Sequence, residues 1–283
     1  MRQYNFCKLA RGFTLVEAII VMVVTGILAG MVAVFIKIPV QNYVDSTARA
    51  ELTDIADLSL RRMSRELRLA LPNSILVQGA SSNTIQFLIT KTGGRYVDLS
   101  DSPPPTVKPL NFYDATATTF NLVGAAPTGR QQIVAGDRIV VYNLGILPAS
   151  AYTGSNVATV NSISGTLVTL ASNPFATQNP LMDSPDHRFQ VVIGTVTYVC
   201  NPVANGTGTL KRYFSSTIPP SEALSSPVVG IPALLANMVS ACSFDYVQLP
   251  NTHSALIGIN LTLRRSNGES TTLSRQVHVD NTP

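Results

Sequence analysis

From Phe13 to Ile38 the chain is apolar almost throughout, and its only ionisable side chains are Glu17 and Lys37. A helix over these 26 residues would be roughly 39 Å long at about 1.5 Å per residue, more than the roughly 30 Å hydrocarbon layer of a bilayer. The pattern then changes. Between Val40 and Ala70 the apolar residues Leu52, Ile55, Ala56, Leu60, Met63, Leu67 and Ala70 recur at spacings of one, three and four, which predicts an amphipathic helix with one face buried. Asp57 and Arg61 stand four apart in the favourable order. Pro39 is expected to kink or interrupt the helix between the two segments, and Leu71-Pro72-Asn73 to stop it.

Beyond Pro72 the period shortens to β-branched runs separated by Gly, Pro, Asn and Ser, as in a β-rich domain. Strands are predicted over Thr84 to Ile89, Arg138 to Tyr142, Thr166 to Leu170, Phe189 to Val199, Thr209 to Phe214 and Ala255 to Leu263. Asn267-Gly268 marks a hairpin between Ile257 to Arg264 and Ser270 to Val279. Asp101-Ser102-Pro103-Pro104-Pro105 and the stretch from Asn173 to Asp186 are expected as surface loops, and a short helix around Ala233 to Val239. There is no internal repeat.

Composition agrees with a folded chain: 45% of the 283 residues are hydrophobic and 13% charged. The net charge of +4 owes much to Arg2, Lys8 and Arg11, which lie in a stretch of twelve residues with no acid; without them 17 basic residues face 16 acidic ones. A near-neutral remainder gives no general argument for nucleic-acid binding. Basic residues before the apolar segment place the N-terminus in the cytoplasm and the rest of the chain across the membrane.

A secretory signal also begins with basic residues and an apolar run. Here Ile27-Leu28-Ala29 is only a passable cleavage site, lying inside an apolar run that continues past it, and helical patterning resumes after Pro39. Glu17 near the start of the run is the sharper objection, since an unpaired carboxylate costs on the order of 2.5 to 3.5 kcal/mol at mid-membrane depth. Snorkelling to the headgroups is the plain alternative for Glu17.

Arg11-Gly12-Phe13-Thr14-Leu15-Val16-Glu17, between a basic leader and a spanning helix, resembles the processing site of type IV prepilins and type II secretion pseudopilins. The resemblance implies an α+β pilin-like fold, in which a long N-terminal helix packs by its second half on an antiparallel β-rich domain. It divides the chain into a cleaved leader at 1–12, a transmembrane and assembly helix at 13–39, an amphipathic helix at 40–71 and a periplasmic β-rich domain at 72–283. It also implies cleavage between Gly12 and Phe13 by a prepilin peptidase, methylation of the new Phe13 amine, and pairing of Glu17 with that amine on a neighbouring subunit. Gly12 suits a protease that needs an unhindered backbone. Some tip subunits of this family lack the glutamate, so its presence implies a place below another subunit. Many major pilins carry a proline near the middle of the apolar segment, where this chain has none.

Gly26 and Gly30 form a G-x-x-x-G pair suited to close helix approach. Leu60-Arg61-Arg62-Met63-Ser64-Arg65-Glu66-Leu67-Arg68 and the residues to Ser74 resemble the helix end of large minor pilins, including J-type pseudopilins. Gly136 to Asn143 and His187 to Val192 resemble minor pilins of the mannose-sensitive haemagglutinin (MSHA) type. The implied partners are the prepilin peptidase, other minor pilins, the major pilin and the inner-membrane assembly machinery. The implied location is the bacterial inner membrane, as a single-pass protein, and then the pilus near its tip.

Other chemistry has little support in the residues. Cys7 falls in the leader, leaving Cys200 and Cys242 either to pair or to remain as buried thiols; a bond would close a loop of about 43 residues, worth on the order of 4 kcal/mol. Arg61, Arg62, Arg65 and Arg68 form the densest basic cluster, and some relatives of this family contact DNA. Spacing turns the four in several directions, acids lie among them and no aromatic residue is interleaved, so no nucleic-acid partner is expected. No catalytic motif is present, and the Asp183, Asp186 and His187 group lacks the spacing of a metal loop; neither an enzyme activity, a cofactor nor a metal is expected. An anchored adhesive or carbohydrate-binding module and an anchored hydrolase remain as readings of a different class.

Overall fold

The computed structural model describes residues 12–78, 82–154, 156–224, 228–249 and 253–283. Arg2, Cys7, Lys8 and Arg11, with the rest of residues 1–11, lie outside the described residues. The chain divides into two compact units, one ending at Glu51 and the other running from Leu52 to Pro283.

One helix, α1, covers Leu15–Leu67. It passes through Pro39 as continuous helix, so the interruption expected there as one of two outcomes does not occur. An exposed proline costs a helix its ring clash and one hydrogen bond but need not end it when the turns on both sides are good helix formers. The first unit consists of the part of α1 up to Glu51 and the short segment before it.

In the second unit α1 continues from Leu52, and the predicted stripe is the buried one. Leu52, Ala56, Leu60, Met63 and Leu67 are each 0–2% exposed, with Ile55 and Ala70 packed beside them. The helix ends at Leu67, earlier than the Leu71 to Asn73 stop, because the next residues are recruited by the sheet: Leu71 N–H donates to the Leu88 carbonyl, and Thr90 N–H to the Leu69 carbonyl.

The strands are β1 (Leu76–Val77), β2 (Thr84–Arg95), β3 (Thr119–Asn121), β4 (Arg138–Val141), β5 (Val157–Ser164), β6 (Leu167–Leu170), β7 (Arg188–Asn201), β8 (Gly208–Ser215), β9 (Ile231–Leu249), β10 (Ser254–Arg264) and β11 (Ser270–Asp280). All pairings between these strands are antiparallel, so the unit is α+β with one helix on an antiparallel sheet. Their order is β11-β10-β9-β8-β7-β4-β5-β6-β3, with β2 along the other edge of β7 and β1 on β2.

Strand β7 is the axis of this arrangement. β2 pairs with it from Arg188 to Val199; on its opposite edge β4 takes Phe189 to Val192 and β8 takes Thr195 to Asn201. Gly194 lies where the second edge changes partner, at φ 154°, and an added Cβ would collide with the Ser215 carbonyl oxygen. The change of partner separates two larger cores, and a smaller third cluster gathers Leu71, Leu88, Val140, Ala151, Tyr152 and Val192. One of the larger two joins the α1 stripe to Phe87, Tyr198, Leu210, Phe244, Ile257, Leu261 and Val277. The other takes no residue from α1: Tyr96, Phe112, Phe120, Phe175 and Phe189 fill it with Ile139, Val160 and Val168, and Phe120 meets Phe189 edge-on with centroids 5.9 Å apart.

Two sequence expectations fail in detail. Ala233 to Val239 is strand, the first half of β9 against β8, with irregular register opposite Gly208 to Lys211 and Met238 at φ 58°. The helix-forming composition of this stretch is overridden by the pairing. The region Asn173 to Asp186 is not simply a surface loop: Phe175, Asn173, Gln178 and Ser184 are buried, and Asn173 Nδ2 donates to the carbonyls of Asn111, Asp114 and Ala117. The hairpin expected around Asn267-Gly268 does form: β10 and β11 pair from Arg264 and Ser270 outward, joined by a five-residue connection in which Gly268 N–H donates to the Arg265 carbonyl and Gly268 takes φ 95°.

Candidate functional site

The site read from the sequence is the start of α1. Gly12, Phe13 and Thr14 are exposed and precede the first helical turn. Thr14 occupies the N-cap position: its Oγ1 accepts from the Glu17 backbone N–H at 3.3 Å, and its carbonyl accepts from Ala18 N–H at 3.1 Å. Thr14-x-x-Glu17 thus has the order of a capping box, a signal present in the sequence that the processing-site reading passed over. Glu17 falls in the first turn, where unsatisfied N–H groups and the helix dipole favour a carboxylate. The two roles are compatible, since the cap uses the Glu17 backbone and leaves its side chain exposed.

The following turns are exposed and apolar on every side, from Phe13 at 71% to Phe35 at 78%. Thr25 adds no unpaired donor, because its hydroxyl donates to the Val21 carbonyl one turn back at 2.6 Å. A 53-residue helix with such a segment near the N-terminus is long and apolar enough to cross a membrane.

The glycines are informative through what does not surround them. A Cβ added to Gly12, Gly26 or Gly30 would meet nothing within 4 Å. No packing within the described chain calls for glycine at these positions, yet Gly26 and Gly30 each cost the helix about 0.5–1 kcal/mol relative to alanine.

Cys200 and Cys242 are joined by a disulfide, with Cα atoms 6.6 Å apart, and both belong to the helix-bearing core. Among the described residues no group of three or more His, Cys, Asp or Glu is placed to hold a metal ion. His187, at φ 54°, has its ring 5.6 Å from that of Tyr96 and its Nε2 4.0 Å from Asp98 Oδ1.

The arginine cluster is sorted by the fold. Arg62 donates to Glu66, and Glu66 also accepts from Tyr198 Oη at 2.7 Å and Arg212 Nε at 2.8 Å. Burial would raise the Glu66 carboxyl, but the Arg212 and Tyr198 hydrogen bonds and the charges of Arg212 and Arg62 outweigh it and hold it below the ordinary carboxylate value. This clamp fastens the last turns of α1 to β7 and β8. No spacing rule reveals it, because its partners lie 132 and 146 residues further along the chain.

No curated protein and no solved structure matches the chain. Residues 7–33 match the family model described as the prokaryotic N-terminal methylation motif, and this match, on the segment that leads into a single exposed apolar helix, supports a type IV pilin- or pseudopilin-like protein with a membrane-anchored N-terminus.

Proposed function

We propose that the chain is a minor pilin, cut between Gly12 and Phe13, methylated on the Phe13 amine and assembled with other minor pilins to initiate or cap a type IV pilus. The observation that carries this reading is the methylation motif at residues 7–33; Gly12 and Phe13, between which the proposed cut would fall, are exposed and non-helical, just before the mostly apolar first half of α1. In the finer reading the fibre is of the MSHA type and the chain resembles its minor pilin MshO. A J-type pseudopilin of type II secretion is the runner-up. The protein would have no turnover of its own.

Glu17 then has a physical task. Inserted in a bilayer or packed in a fibre, its carboxylate is desolvated, and the methylated Phe13 amine of a neighbouring subunit is the partner that recovers the penalty. That pairing would set axial register. Gly26 and Gly30, which nothing in the chain itself crowds, would let a neighbouring helix approach closely.

Intact-mass and N-terminal analysis of membrane-extracted protein tests the reading. A chain beginning at methylated Phe13, dependent on the peptidase and blocked by a bulky residue at Gly12, is expected. A start near Gly30, or an uncut chain, refutes it. Glu17→Ala should leave processing intact while weakening recovery of partner pilins.

A further inference from the structure

Three of the four clustered arginines share a groove. Arg61 and Arg65 stand one turn apart on α1, and Arg68, at i+7 and just past the helix end, follows them on the same side, its N–H still bonded to the Ser64 carbonyl. Together with Leu69 and, from β11, Arg275 and Gln276, they line an open groove of about 620 Å³. Its charge is poorly compensated. Asp57 serves two of the arginines, with Oδ2 accepting from Arg61 Nε and Oδ1 lying 3.7 Å from Arg275 Nη2. Arg65 and Arg68 are exposed, and their side chains have no hydrogen-bonding or ionic partner among the described residues. Like charges one turn apart repel, so the helix by itself gains nothing from this arrangement.

The strand beside the groove is also open. β11 is the last strand of the sheet, and among the described residues it pairs with β10 alone. It runs for 11 residues without a proline or a register shift, whereas exposed edges are usually kept short, bulged or blocked. Its outer row of backbone N–H and C=O groups therefore lies next to a row of guanidinium groups.

We infer that this groove docks an extended, carboxylate-bearing segment of a partner protein, which adds to the open edge of β11 and directs its acids at Arg65 and Arg68. Charge complementarity selects the acids, and the open edge selects a polypeptide. A lipid headgroup offers no strand to pair with β11. Nucleic acid would match the charge, but among the described residues no aromatic side chain lines the groove to stack on bases. Alternate residues of a strand point to opposite faces, so the segment needs an acid at every second position.

The test uses the detergent-solubilised full chain and a fluorescent peptide of about ten residues alternating Glu and Val, long enough to match a typical strand. Anisotropy should report binding. Arg65→Glu with Arg68→Glu should weaken it by about tenfold or more, and Arg130→Glu, at an exposed arginine elsewhere in the fold, should leave it unchanged. A peptide with alternate backbone amides methylated keeps its charge but cannot pair as a strand, and it should bind far more weakly. Arg65→Gln with Arg68→Gln, which remove charge without reversing it, guard against a folding defect, and their unchanged melting temperature is part of the expected result. Failure of the peptide to bind, indifference to the substitutions, or tighter binding of duplex DNA or of phosphatidylglycerol vesicles overturns the inference.

Discussion

The two halves of α1 are built from similar apolar residues and meet different fates. From Leu52 to Leu67 one stripe is 0–2% exposed against the sheet, while Leu58 on another face is 68% exposed. From Phe13 to Val44 the large apolar side chains are exposed all round. A periodic pattern describes a helix lying between its own domain and water, and a pattern with no polar face describes one whose surroundings are apolar on every side. The second half of the helix is therefore explained by the chain itself. The first half is explained only by a membrane or by other subunits.

Removing the first half tests this contrast most severely. A chain beginning at residue 45 should stay folded and monomeric without detergent, whereas the longer chain should need detergent; light scattering and circular dichroism would show it. Aggregation of the shortened chain would mean that the sheet depends on the apolar half as well. Next in size, Leu60→Ala should cost about 2–5 kcal/mol of domain stability through lost burial and the cavity it leaves. Ile27→Ala should leave the domain's melting temperature unchanged, and equal effects from the two would erase the distinction.

The smallest expected effect concerns the clamp between α1 and the sheet. Glu66→Gln should cost about 1–3 kcal/mol, since it removes a charge that Arg212 and Tyr198 both address. Because the folded state holds the Glu66 carboxyl below its unfolded value, its contribution is complete above the unfolded value and is lost as pH falls through the folded one. Wild type and variant should thus converge in stability in acid, as read by denaturant melts across that range. A gap that widens on acidification would contradict the assignment.

Legibility in the sequence followed the locality of the cause. The α1 stripe was readable because helical period and burial concern neighbours three and four residues apart. The seven segments expected as strands fall on β2, β4, β6, β7, β8, β10 and β11, where β-branched runs lie between turn residues. The first half of β9 misled because Pro232-Ala233-Leu234-Leu235-Ala236 carries helix-forming residues, and only pairing with β8 makes it a strand. The aromatic core was invisible because Tyr96, Phe112 and Phe120 come from irregular or very short elements with no period to follow. At the N-terminus the motif drew attention to Gly12, Phe13 and Glu17. Thr14 escaped notice because its cap is a backbone matter, and the sorting of Arg62 from Arg61, Arg65 and Arg68 required the positions of Glu66 and β11.

The division of β7 between two cores bears on how the domain melts. Loss of the aromatic core would strip β4 from one half of β7 while the other half still carried β8, and a strand released along half its length loses much of the cost already met to order it. Neither lobe is free to unfold at its own temperature. The two should disappear together in one cooperative transition, with β7 among the last amides to exchange with solvent.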